Sequence, residues 1–174
     1  ENFTCRPVSI YAKSKFLATK YLISLHKKKK FPVTILRLYQ AYGPKQDINR
    51  FIPIVIDACL KKISFNCSDG KQLRDFVYVS DVVNAIIQSI KSKNSKGQII
   101  NIGSGKPQKI IRVINYIVKK LKGGYPILGV IKLRKDEIYK IFPNITKAKK
   151  IINWRPKVSF YKGLSKTIQY YEKL

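Results

Sequence analysis

Two short runs, "VTILRL" (33–38) and "QIINIG" (98–103), are dense in β-branched and aliphatic residues and show no polar alternation. Strands of that kind are buried on both faces, which is the condition of a parallel sheet covered by helices. Each run lies among segments whose apolar residues recur every three or four positions. Helical and strand segments in alternation predict an α/β fold with parallel pairing: part of a doubly wound sheet plus a small α/β unit.

The helical segments can be placed. Residues 9–29 carry Phe16, Leu17, Tyr21, Leu22 and Leu25 at helical spacing, and Pro32 ends the segment. Residues 50–62 predict a helix with Pro53 in its first turn. Residues 80–92 predict another, with Ser80 as N-cap and Val82, Val83, Ile86, Ile87 and Ile90 facing inward. A helix over 109–121 is stopped by Gly123 and Gly124. Two more, over 146–152 and 161–174, flank a turn at residues 154–156. Residues 42–49 read as a loop, Asp69-Gly70 as a turn between two short strands, and 130–133 as a further strand.

Composition narrows the function. The chain has 174 residues, 45% of them hydrophobic, enough to bury a core. No apolar run approaches the roughly 18 residues of a membrane span, and no secretory leader is visible. Three cysteines without metal-ligand spacing and a single histidine, His26, argue against a zinc site and fit a reducing, cytoplasmic setting. The net charge of +27 comes mostly from lysines scattered over polar faces, with only seven arginines among 36 basic residues. Arginine is the residue whose planar fork reads phosphate bidentately. The excess therefore reads as compositional, and nucleic acid is not the expected partner.

The chemistry-bearing feature is "SIYAKSK" (9–15). Residues four apart on a helix share a face, so Tyr11 and Lys15 are neighbours. An ammonium beside a phenol favours the phenolate, and a phenol so placed can exchange a proton with a sugar or alcohol oxygen. In a chain with 11 tyrosines and many lysines the same spacing also arises by chance.

The wider context of that pair resembles a known family. "RPVSIYAKSKFLATKYL" resembles the Tyr-x-x-x-Lys segment of the extended short-chain dehydrogenases/reductases, the NAD-dependent epimerases and dehydratases of nucleotide sugars. "LRLYQAYGP" is similar to their Leu-Arg-x-x-Asn-x-Tyr-Gly-Pro block. "NRFIP", "DGKQLRDFVYVSDVVNAI" and "NIGSG" follow in the family's order. "FPNITKAKKIINWRPKVSFYKGLSKTIQYY" is similar to its C-terminal signature. Within the family, the blocks "RLYQAYGP", "NRFIP" and "CSDGKQLRDF" resemble deoxysugar-forming members more than galactose epimerases.

The resemblance implies roles by position. Tyr11 would be the acid/base, and Lys15 would hold the nicotinamide ribose and the phenol. Gln40, one methylene longer than the family's asparagine, would contact substrate near its phosphates. Arg50, Arg74 and Arg134 would hold the nucleotide diphosphate, as bidentate forks do, and Glu137 would lie near the nucleotide ribose. Asp75 and Asp81 read as structural, Tyr42 and Gly43 as loop-shaping. "GSGK" (103–106) lacks phosphate-loop spacing. No Gly-x-x-Gly-x-x-Gly occurs, nor the family's serine or threonine upstream of the tyrosine. The expectation is the C-terminal half of such an enzyme: residues 1–45 from its Rossmann domain, and 46–174 mainly from its substrate domain, with 80–105 returning to the sheet. The implied cofactor is NAD or NADP, the substrate a nucleotide diphosphate sugar, and the assembly a homodimer. The alternatives are a nucleotide-sugar 4-keto reductase of the same fold and a non-catalytic basic binding module.

Overall fold

The computed structural model describes residues 1, 4–134 and 137–174. In chain order its elements are α1 (Ile10–Lys29), β1 (Ile35–Leu38), β2 (Gln40–Tyr42), α2 (Phe51–Leu60), β3 (Ser64–Asn66), β4 (Leu73–Arg74), β5 (Phe76–Tyr78) and α3 (Val79–Lys91). After a 3-10 turn at Lys93–Ser95 come β6 (Ile99–Ile102), β7 (Gln108–Lys109), α4 (Ile110–Leu121), β8 (Tyr125–Ile127), β9 (Lys140–Ile141), α5 (Thr146–Ile152) and α6 (Phe160–Tyr171).

The chain is α/β and its pairing is mostly parallel. β1 runs parallel to β6 with Arg37 opposite Asn101, β2 parallel to β5 with Gln40 opposite Phe76, and β3 parallel to β8. The exception is β7, which is antiparallel to β4, while β9 joins β4 from the other side in parallel. β6 is buried as its mainly aliphatic run predicts, with Ile100 and Ile102 fully covered and Asn101 buried between them. β1 is only half-buried.

Two cores hold these elements. One joins Tyr42, Phe76 and Tyr78 of the strands to α2, α4 and α6 through Ile56, Ile114, Ile117 and Leu164. α2 lies at its centre because it is apolar nearly all round, burying Ile52, Pro53, Val55, Ile56, Ala58 and Cys59. The second core packs α3 and α5 on β5 and β6 around Trp154. Each fully buried aliphatic side chain contributes about 1.5–3 kcal/mol. Cys5 is exposed, whereas burial pushes the Cys67 thiol up and the Cys59 thiol up to about 11.

Several sequence expectations are corrected. α3 starts at Val79 with Tyr78 as N-cap, so Ser80 lies in its first turn and caps nothing. The buried face of α3 is Asp81, Val82, Ala85 and Ser89, leaving Val83, Ile86, Ile87 and Ile90 exposed. The buried face carries Asp81 and Ser89 beside Val82 and Ala85, and Asp81 is held there. Its Oδ1 and Oδ2 accept the N–H groups of Lys157 and Val158, both at 3.0 Å.

Asp69-Gly70 does form a turn, with Gly70 at φ +66°. The strands on either side pair elsewhere, β3 with β8 and β4 with β7 and β9, so no hairpin results. Residues 130–133 form no strand. Gly129 at φ +80° turns the chain away after β8, and only the Ile131 N–H reaches back, to Cys67 O at 3.0 Å. The left-handed cap of α4 is Lys122, not a glycine. Gly123 and Gly124 serve close packing: a Cβ on either would come within 2.5–2.6 Å of Cys59 of α2.

Candidate active site

Tyr11 and Lys15 lie in the first two turns of α1. Ser9 starts that helix by accepting the Ala12 N–H on its Oγ at 3.1 Å. The helical spacing brings Lys15 Nζ to 5.6 Å from the centre of the Tyr11 ring, within the range of a cation–π contact. Tyr11 is 73% exposed, so its hydroxyl is open to a ligand.

The two side chains face different clefts. Tyr11 lines one of about 430 Å³ together with Tyr39, Gln40, Arg74, Asp75 and Ile141. Lys15 lines another of about 390 Å³ with Arg6, Thr19 and Arg37. The parallel pairing of β2 with β5 brings Gln40 alongside the Arg74–Phe76 segment, where the Gln40 N–H donates to Asp75 O at 3.0 Å. Three of the residues expected from sequence, Tyr11, Gln40 and Arg74, thus share one cleft.

Gln40 also lines a second, smaller cleft of about 240 Å³ with Gln46, Asn49, Arg50 and Phe51. Arg50 stands at the N-cap position of α2, where free backbone N–H groups favour anions. Phe51 in turn lines a third cleft of about 340 Å³, almost wholly apolar, with Ile54, Phe65, Ile114 and Leu133. Gln40 thus lines both the Tyr11 and the Arg50 cleft, and Phe51 both the Arg50 and the apolar cleft.

Arg74 has a carboxylate partner. Its Nη2 donates to Glu137 Oε1, and its Nη1 donates to Leu73 O at 2.9 Å and to Tyr139 O at 3.4 Å. These bonds hold the guanidinium at the cleft wall and bring two of the sequence candidates into direct contact. Arg134 is exposed, and its carbonyl accepts the Glu137 N–H at 3.0 Å.

Asp75 and Tyr39 are cleft residues that sequence reasoning did not single out as such. Asp75 is fully buried and accepts from Ser104 N at 2.6 Å and Ser104 Oγ at 2.8 Å, tying the 103–106 loop to β4 and β5. Burial pushes its carboxyl up, opposed by the bonds from Ser104, Gly105 and Lys106. Tyr39 is likewise raised, first by burial and then by the Asp75 carboxylate, with Arg37 acting in the opposite sense. Tyr39 follows β1 directly, and only the strand pairing places it beside Arg74. Tyr42 is not a loop residue: its buried ring packs on Phe76, Tyr78 and Phe160, and its hydroxyl donates to Phe160 O at 2.8 Å. Gly43 does take an unusual angle, φ +155°, with no room for a Cβ beside Val79. Among the described residues no group of His, Cys, Asp or Glu could hold a metal ion. No helix among them is long and apolar enough to cross a membrane.

The mostly parallel α/β pairing is that of Rossmann-type folds. The chain superposes, with a TM-score of 0.91 over 99% of its length and 55% of the other chain, on UDP-glucuronic acid 4-epimerase from Bacillus cereus in complex with UDP-glucuronic acid and NAD, at 27% identity. It is 31% identical, over 98% of its length and 55% of the relative, to a putative UDP-glucose 4-epimerase of Methanocaldococcus jannaschii. It is 30% identical, over 95% of its length and 49% of the relative, to human dTDP-D-glucose 4,6-dehydratase. Residues 1–103 match the NAD dependent epimerase/dehydratase family, and the chain belongs to that family. It spans about half the length of the curated relatives it matches.

Proposed function

We propose that this chain supplies the sugar-handling half of an NAD- or NADP-dependent nucleotide-sugar epimerase or dehydratase, with Tyr11 as its acid/base. The observation that carries this reading is that the three clefts are neighbours, the Tyr11 and Arg50 clefts sharing Gln40 and the Arg50 and apolar clefts sharing Phe51. An elongated ligand with three chemically different parts fits such a row of clefts. The sugar lies against Tyr11, the diphosphate between Arg50 and Arg74, and the flat apolar face of a base in the cleft walled by Phe51 and Phe65.

In this reading Tyr11 Oη takes the proton of a sugar hydroxyl and later returns it. The Lys15 ammonium stands beside that ring, 5.6 Å from its centre. The Gln40 amide offers both a donor and an acceptor at the junction of sugar and phosphate. Glu137 orients Arg74, and Arg134 adds charge at the far end. The Tyr11 hydroxyl and Lys15 ammonium also suit the hydroxyls of a cofactor ribose. A bound nicotinamide supplies the hydride acceptor and donor. A second copy of the chain is the proposed partner, through α1, which buries none of its 20 residues within the chain.

The test is titration of dTDP-glucose and UDP-glucuronic acid into the chain at about 0.15 M salt. Saturable binding is expected. Arg50→Gln and Arg74→Gln should each weaken it about tenfold, as for loss of a charge-assisted bond, and Tyr11→Phe should leave it within about twofold. Steeply salt-dependent binding to DNA, with no affinity for either nucleotide sugar, would replace this reading with a basic binding module.

A further inference from the structure

The segment between β2 and α2 (43–50) brings Gln46, Asn49 and Arg50 to the wall of the cleft of about 240 Å³. Little within the segment holds it. Lys45, Asp47, Ile48, Asn49 and Arg50 are exposed. Its internal hydrogen bonds are all local: Gln46 N–H to Gly43 O at 3.4 Å, Asn49 N–H to Asp47 Oδ1 at 2.8 Å, and Arg50 N–H to Asp47 O at 3.0 Å.

Two features of the segment run against its own preferences. Lys45 lies in the left-handed region at φ +61°, which a lysine side chain disfavours. Gln46 Oε1 is shut off from water and, among the described residues, is the one buried side-chain polar atom without a hydrogen-bond partner. Gln46 Nε2 donates to Ala41 O at 2.8 Å, so exchanging the two ends of the amide would set oxygen against oxygen. A segment that keeps a left-handed lysine and an unpaired buried oxygen is held from outside.

The holder is α6. The Tyr171 hydroxyl, at the end of that helix, donates to Gln46 O at 2.6 Å across 125 residues of sequence. At the start of α6, Phe160 O accepts the hydroxyl of Tyr42, the last residue of β2, at 2.8 Å. Between the two bonds the helix is anchored by Gly163, Leu164, Thr167 and Ile168, all buried, and the Tyr171 ring packs against the same core as Leu164 and Ile168. Burial raises the Tyr171 hydroxyl, with Tyr170 and Asp47 acting in the same sense, so it keeps the proton that it donates.

We propose that Tyr171 is a positioning residue for the nucleotide-sugar cleft: its bond to Gln46 O fixes the 43–50 segment so that Gln46, Asn49 and Arg50 line that cleft. Arg50 follows Gln46 by four residues and stands at the N-cap position of α2, so a shift at the tie moves the guanidinium with it. Tyr171 itself lines none of the three clefts and acts through the backbone alone. The inference rests on the function proposed above, since it takes a nucleotide diphosphate as the ligand of Arg50.

Tyr171→Phe tests it, because the variant loses the hydroxyl and keeps the ring in the core. In the ligand-free chain the amides of Gln46, Asn49 and Arg50 should exchange about tenfold faster with solvent, with those of α4 unchanged. Titrated with dTDP-glucose at about 0.15 M salt, the variant should bind about fivefold more weakly, as for loss of one neutral hydrogen bond. Arg50→Gln combined with Tyr171→Phe should bind within about twofold of Arg50→Gln alone, because both act on one contact. Tyr116→Phe is the control: it removes a hydroxyl hydrogen-bonded to Ser165 Oγ at 2.9 Å between α4 and α6, and should change neither readout. A purely structural tyrosine would lower the urea midpoint and leave the affinity of the folded chain as it was. That result, unchanged exchange in 43–50, an equal loss in Tyr116→Phe, or full additivity with Arg50→Gln would each overturn the proposal. The exchange readout needs no ligand. Absence of nucleotide-sugar binding by the unaltered chain would remove the function proposed above, and the exchange result would still uphold or overturn the tie.

Discussion

Asp81 uses both carboxylate oxygens on backbone N–H groups 76 and 77 residues away, and its own carbonyl accepts the Trp154 indole N–H at 2.9 Å. A structural role was legible in the sequence from its place at a helix start, but its partners were not. They lie in a loop after α5 that only the tertiary fold brings near. Asp81→Ala leaves the part-buried Lys157 and Val158 N–H groups without that acceptor, and should cost about 1–3 kcal/mol, read as a lowered urea midpoint. An unchanged midpoint would mean that the 157–158 loop finds other partners. Arg74 makes a related point. Its sequence allowed either a ligand-binding arginine or one half of an ion pair, and the fold gives it a place on the cleft wall with Glu137 holding it there.

At the scale of elements, α1 and α2 mark two extremes. α2 was readable because a nearly uniform apolar face can only be central. α1 was readable as a helix from Ser9, its periodicity and the break before Pro32, yet its burial was not. Phe16, Leu22 and Leu25 are half-covered, while Leu17 and Tyr21 are 63% and 65% exposed. A helix without buried residues lacks the packing that supplies most helical stability in proteins. In the monomer, at concentrations too low for a second copy to cover it, backbone amides of α1 should therefore exchange with solvent through local opening, orders of magnitude faster than those of α2 and α4, which should exchange only on global unfolding. Amide exchange followed by NMR or mass spectrometry measures this, and equal protection of α1 and α2 would show that α1 is anchored as firmly as the core. α3 was misjudged for a different reason. Periodicity put one face, Val82, Val83, Ile86, Ile87 and Ile90, inward, whereas the structure buries Val82 together with Asp81, Ala85 and Ser89, where the Asp81 carboxylate meets the Lys157 and Val158 N–H groups.

For the whole molecule, 36 basic residues face nine acidic ones, and three ion pairs are formed among the described residues. Two of them are exposed and contribute little, so self-repulsion is the dominant long-range electrostatic effect. Added salt shortens its range, to about 10 Å at 0.1 M. The urea midpoint should therefore rise between low salt and about 0.5 M sodium chloride. A fall would mean that the ion pairs outweigh the repulsion. The sequence by itself determined the fold class, the positions of the helices, and the residue types set out for chemistry, because each follows from local periodicity or from a motif within a few residues. Only the tertiary structure decided which strands pair, which face of α3 is buried, and that Tyr11 and Lys15 open onto different clefts. Those outcomes depend on contacts between segments far apart in the chain, which the local sequence leaves open.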